Sequence, residues 1–211
     1  MSHKFSRFPF FLLATYVSLF AVLAFEPYDR PTWFVENLTI VLIVGLLAVL
    51  YARGVRFSNT AYALMSALIF LHTIGGHYTF ERVPFDYVTD FFGFARYHFD
   101  RVAHFSVGFY AFAIAELLWR KRLVRHTFIL ATYPILAIAT VAMSYELIEW
   151  IYAANADAAA GAAYLGSQGD IWDAQKDMLA DTLGAIIATA YFFWHNGCAR
   201  IRHSLYRNSH D

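Results

Sequence analysis

The chain has 211 residues, 59% of them hydrophobic and 15% charged, with a mean hydropathy of +0.45; a soluble domain carries about 25% charged residues. The formal net charge is zero and no basic run is long, which excludes nucleic acid as a partner, and the one cysteine, Cys198, excludes an internal disulfide or a CxxC metal or redox motif. This is the composition of a chain that faces lipid, and 21 Phe with 14 Tyr suit lipid-facing walls and interfacial belts.

In chain order, six apolar stretches approach the roughly 20 residues needed to cross a bilayer core. They are Pro9–Phe25, Val35–Ala52, Asn59–Gly75, Asp100–Trp119, Thr127–Tyr152 and Gln175–His195. The stretches are too long for strands and lack the alternation of a membrane barrel. The expected fold is therefore all-α: a polytopic transmembrane bundle of about six spans forming a single integral membrane domain over residues 1–211. The first stretch has no small-x-small cleavage site and is expected to be an uncleaved span.

Orientation follows from the basic residues. With the N-terminus inside, the cytoplasmic segments hold eleven Lys and Arg, including Arg7, Arg53, Arg56 and Arg120 to Arg125; the outer segments hold Arg30, Arg82, Arg96, Arg101 and Lys176. Both termini are expected in the cytoplasm. The long loops Gly76–Phe99 and Ala153–Ala174 then fall outside, where each is expected to carry a short interfacial helix. In the first, Phe85–Phe94 fits such a helix, with aromatics toward lipid and Asp86 and Asp90 toward water.

The acids are distributed less evenly. Of 16 Asp plus Glu, only Glu116 and Asp211 fall near the inner side. The remainder lie in outer loops or at outward-opening span ends, where carboxylates near a low-dielectric bilayer must be protonated, paired or solvated. Asp170, Asp173, Asp177 and Asp181 follow steps of three, four and four, which set them on one helical stripe continued by the small residues Gly184 and Ala188. Glu146 and Glu149 share a face in the fifth stretch. Asp100 and His104 are one turn apart at the start of the fourth, beside Arg101. His77 follows two glycines, and Glu26, Asp29 and Arg30 stand between the first two stretches. Trp33, Tyr78, Trp150, Tyr164 and Trp172 would rim such a site. His72 is expected to pack through a single hydrogen bond, and Glu116 to pair with Arg120 at i,i+4.

These blocks carry a resemblance. PYDRPTWF, GGHYTFERVP, DFFGF, FDRVAHF, SYELIEW and LGSQGDIWDAQKDM, in this order from Pro27 to about Gly184, resemble the YjdF-type family of bacterial inner-membrane proteins. More distantly, the order of acid-Arg-x-x-His-Phe, intramembrane glutamates and a paired-Asp helix is similar to the VanZ-like membrane proteins. The first resemblance implies a multi-pass protein of the bacterial inner membrane and assigns no reaction.

The residues themselves leave three readings open. The first is a metal-dependent hydrolase or transferase acting on a lipid or envelope precursor. Its ligands to a divalent Zn, Mn or Mg ion would be His77, His104, Glu149, Asp173 and Asp177. Asp100 or Glu146 would act as general base on water, and Arg101 would hold an anionic oxygen. The second is a proton- or cation-coupled transporter using Glu146, Glu149 and Asp181. The third is a non-catalytic assembly or binding protein tied together by the same network.

Overall fold

A computed structural model describes residues 6–94, 96–155 and 168–206. Its described residues form α1 (Phe8–Leu23), α2 (Arg30–Ala52), α3 (Asn59–Tyr78), α4 (Asp86–Phe92), α5 (Phe99–Val107), α6 (Tyr110–Arg120), α7 (Thr127–Asn155), α8 (Asp173–Asn196) and α9 (Cys198–Tyr206). Three segments are long and apolar enough to cross a bilayer: α2, the continuous run Phe99–Arg120 formed by α5 and α6, and α7. The apolar α1 is shorter, at 16 residues. In α8, Asp173, Lys176, Asp177 and Asp181 interrupt the apolar character that the expected sixth span requires.

Local sequence explains the boundaries. Asp29 caps α2 by accepting a 2.8 Å hydrogen bond from the Thr32 amide, and Pro31 follows in the first turn, where its missing N–H costs nothing. The helix therefore starts at Arg30, five residues before the apolar stretch read from sequence. Ser58 caps α3, and its backbone and hydroxyl both donate to Glu116, at 2.8 and 2.5 Å. Glu116 also accepts from Arg120 at 2.6 Å, so the expected i,i+4 pair exists and anchors a helix start as well. Arg120 reaches on to the Arg56 carbonyl at 2.8 Å. This end of the bundle is basic, and the opposite end gathers the acids.

The short helix expected near Phe85–Phe94 forms as α4 and is closed by Gly93 in the left-handed region. Tyr87 is 93% exposed and Phe91 82%, as fits side chains that face lipid rather than protein. Most of the second long loop, Tyr164 included, lies outside the described residues. Helix α9 was not expected; it buries Ile201 and Leu205 against the core and so extends the bundle past the last apolar stretch.

Two helices organise the packing. Helix α8 contacts α5, α6 and α7, while α3 contacts α1, α2, α5 and α6, so the α5–α6 segment sits between two groups. Where α5 meets α8, backbone touches backbone. A Cβ on Gly184 would lie 2.0 Å from the Phe105 carbonyl oxygen, and one on Gly108 would lie 2.2 Å from the Ala185 amide nitrogen. At this crossing the fourth expected span passes from α5 to α6 through Gly108 and Phe109, which keep right-handed helical backbone angles. The small-residue stripe of α8 thus has its close neighbour, as small residues on membrane helices allow.

Replacing Gly184 by Ala will drive a methyl group into a main-chain oxygen that cannot rotate away. The substitution should lower the thermal midpoint in detergent by an amount equivalent to about 3 kcal/mol. Gly45 of α2 has nothing within 4 Å of a built Cβ, and Gly45→Ala should leave the midpoint unchanged or higher. Equal midpoints for the two variants would remove the crossing as a packing constraint.

Candidate functional site

The polar stripe of α8 divides into two parts with different partners. Nearer the loop, Asp170 and Asp173 are held by basic side chains. Arg96 Nη1 reaches Asp173 at 2.6 Å and Asp170 at 3.4 Å. Arg101 donates to the Asp173 carbonyl at 3.0 Å and pairs with the carboxylates of Asp173 and Asp177. Lys176 reaches Asp170 at 2.6 Å. That ammonium holds the Asp170 carboxyl below the usual carboxylate range, so the link is intact above that range and is lost only as pH falls through the lowered value.

The same region ties the two outer loops together. Tyr97 and Gln168 exchange hydrogen bonds of 3.2 and 3.3 Å, and the Tyr97 hydroxyl donates to Asp86 at 2.6 Å, which pushes the phenol pKa up. His98 is held below the ordinary histidine value by burial and by Arg96 and Arg101 beside it. Its ring meets Phe94 edge-on at 4.4 Å between centroids.

Deeper in the bundle, Asp177 and Asp181 face α5. His104 lies between them and Asp100. Its Nε2 is 3.7 Å from an oxygen of Asp100 and 3.7 Å from one of Asp177, while its Nδ1 is 3.4 Å from Asp181. One ligand atom each from Asp100, His104 and Asp177 fall within 4.8 Å of one another. Separations of 3.7 Å exceed hydrogen-bond lengths. They approach the roughly 3.4 Å between ligand atoms that share a tetrahedral ion with bonds of about 2.1 Å. A tautomer with the proton on Nδ1, donated to Asp181, would turn the Nε2 lone pair toward the shared space, the arrangement in which a carboxylate orients a metal-binding imidazole. Asp181 is 2% exposed, and its other oxygen has no hydrogen-bond partner among the described residues.

These groups line one wall of a cavity of about 140 Å³. Glu149 and Tyr145 of α7 line another. A third comes from α2 and α3, which bring Thr32, Glu36, Thr39 and His72. Glu36 is 8% exposed, and its carboxylate lies 3.1 Å from His72 Nε2. Glu146, one turn before Glu149, is buried with one oxygen lacking a hydrogen-bond partner, and it stands within electrostatic reach of His104, Asp177 and Asp181.

The expected site residues therefore separate. Asp100, His104, Asp177 and Glu149 meet at the cavity, with Glu146 adjoining it. Asp173 and Arg101 pair with each other outside its lining, and Arg101 also reaches the cavity residue Asp177. His77 stands apart: its Nδ1 is 2.8 Å from the Leu23 carbonyl oxygen, and the amide of Tyr28 bonds to its own carbonyl, so it fastens the α1–α2 turn to the end of α3. Sequence reasoning passed over Asp181 as a partner of His104 and passed over Glu36 and His72 as wall residues. The signal was present in Thr32, Glu36 and Thr39, spaced four and three apart on one face of α2. It was obscured because the apolar stretch begins at Val35, which put Glu36 at a span end instead of nearly two turns inside a helix. Of the expected aromatic rim, Trp150 and Trp172 are exposed.

A family model described as predicted membrane protein (DUF2238) matches residues 8–197 of the chain. The inner membrane protein YjdF of Escherichia coli (strain K12) is 35% identical to it over 181 residues, covering 83% of each chain. No solved structure matches.

The two parts of the α8 stripe should respond differently to substitution. Asp173→Ala leaves two largely buried guanidinium groups without their shared carboxylate and should cost about 3 kcal/mol of stability, read as a lower thermal midpoint. Removing Arg96 in the same chain should restore part of that loss, and a double variant no better than the single one would count against the clamp.

Proposed function

The chain belongs to the DUF2238 family of predicted membrane proteins, and from that premise we propose that it is a six-span inner-membrane enzyme. Both termini lie in the cytoplasm, and a divalent ion at Asp100, His104 and Asp177 serves hydrolysis or group transfer on a lipid or envelope precursor. The excess of Lys and Arg in the segments on one side supports this orientation. So does the grouping of Arg53, Arg56 and Arg120 at the end of the bundle opposite the acids. The inner membrane is where the E. coli relative is named as residing.

The observation that carries the enzyme reading is the His104 imidazole, with Nε2 between Asp100 and Asp177 and Nδ1 backed by Asp181. Two carboxylate oxygens and one imidazole nitrogen suit Zn, Mn or Mg. An ion there would polarise an acyl or phosphoryl oxygen and make water a better nucleophile. Arg101 orients Asp177 through its ion pair. Glu149, on the facing wall, is placed to take a proton from water as oxygen attacks and to return it to the leaving oxygen. Glu146 behind it keeps that wall polar. Thr32, Thr39 and the Glu36–His72 pair supply polar contacts for a headgroup, while Ile40, Ile43, Leu68 and Val141 supply an apolar wall. The transporter reading has less support, because Glu116, the acid of the basic half among the described residues, is already engaged by Ser58 and Arg120. The outer group of Asp170, Asp173, Arg96 and Arg101 serves structure.

Protein purified without chelator should carry about one equivalent of divalent metal by elemental analysis. His104→Ala and Asp177→Ala should lose it, and Asp173→Asn should keep it. Adding the metal at about 100 times its dissociation constant should stabilise the metal-free protein by about 2.7 kcal/mol. Folded wild-type protein that neither carries nor takes up metal would overturn the reading.

A further inference from the structure

At the basic end of the bundle a second cavity, of about 290 Å³, opens between α1 and α2. Both helices pack along α3 while barely meeting one another, so α3 forms the floor of a slot with α1 and α2 as its sides. Leu12, Leu13, Leu47, Ala48 and Ile69 are among its lining residues, and the lining is almost wholly apolar. The slot starts near Phe10 and Tyr51, whose rings meet edge-to-face at 5.3 Å, and it ends near Tyr16 and Phe70, which meet at 6.4 Å. Along α1 this run of seven residues is about 10 Å. One leaflet contributes about 15 Å of hydrocarbon. The slot thus runs from the helix ends through about two thirds of one leaflet, deep enough for the upper part of an acyl chain from that leaflet.

Its mouth is cationic. Arg7 precedes α1 and Arg53 follows α2; both are exposed, and neither forms an ion pair among the described residues. Arg56 lies over the Tyr51 ring, 3.6 Å from its centroid. Nearby, Glu116 is already occupied by Ser58 and Arg120, so it does not neutralise these arginines. An apolar slot confined to one leaflet, with surplus positive charge at its headgroup end, is complementary to an anionic amphiphile.

We propose that the slot between α1 and α2 binds one anionic phospholipid, with an acyl chain along α3 and the phosphate held by Arg7, Arg53 and Arg56. This site lies at the opposite end of the bundle from the carboxylate cavity and is independent of the reading given to it. The bound chain fills the gap that α1 and α2 leave and so completes the packing of a helix only 16 residues long.

The test is native mass spectrometry of the full chain released from nanodiscs containing equal amounts of phosphatidylglycerol and phosphatidylcholine with the same acyl chains. The wild type should retain one phosphatidylglycerol in clear preference. Arg7→Gln and Arg53→Gln should each weaken that preference about fivefold. Ala48→Leu should reduce retention of both lipids by filling the slot, while leaving the thermal midpoint in lipid-free detergent unchanged. Asp177→Ala, at the other cavity, should leave lipid retention as in the wild type. No retained lipid, or equal retention of the two lipids by the wild type, would overturn the proposal. So would an arginine double variant that keeps the full preference.

Discussion

The crossing of α5 and α8 is made by main chain against main chain, and the polar site depends on it. Gly108 caps α5 one turn beyond His104, and Gly184 lies one turn beyond Asp181 on α8. With no side chain at either glycine, the Phe105 carbonyl and the Ala185 amide approach closely enough that His104 reaches Asp181 directly. A larger residue at the crossing would move the helices apart by about the width of a methyl group. The imidazole would then lose Asp181 on one side and the spacing to Asp177 on the other.

Given that register, the excess of acid is resolved by depth. Carboxylates near the loops meet Arg101 from α5, Arg96 from the loop before it, and Lys176 from α8 itself. Further down, no lysine or arginine among the described residues forms an ion pair with Asp181, and His104 lies 3.4 Å from it. A carboxylate inside a membrane helix is costly unless it is protonated, paired or bound to a cation. The cavity concentrates several such groups around one shared space. Arg101 links the two levels, because its guanidinium spans Asp173 above and Asp177 below.

The basic end is built by the opposite logic. Glu116 is nearly buried, yet two groups of Ser58 and the Arg120 guanidinium satisfy it, so it acts as a fixed cap for α3. Arg7 and Arg53 there are exposed and form no ion pair among the described residues, while Arg56 is held against Tyr51. The molecule thus has one end rich in buried acids around a cavity and another rich in exposed bases around an apolar slot.

Much of this is legible in the sequence. Apolar stretches longer than strands determined the helical class, because lipid-exposed backbone must bond to itself. The three- and four-residue steps of Asp170 to Asp181, Glu146 to Glu149 and Asp100 to His104 determined which side chains share a helix face, since a helix repeats every 3.6 residues. The same local rules located α4 and the Glu116–Arg120 pair. Only tertiary structure decided which faces meet. It sent Asp173 to two arginines, set Asp177 between Arg101 and His104, set His77 against the Leu23 carbonyl far from the cavity, and brought Glu36 and His72 into the wall. Spacing along a helix specifies direction around its axis and nothing about the neighbour across from it. That neighbour follows from how closely two backbones can approach, and here Gly108 and Gly184 decide it.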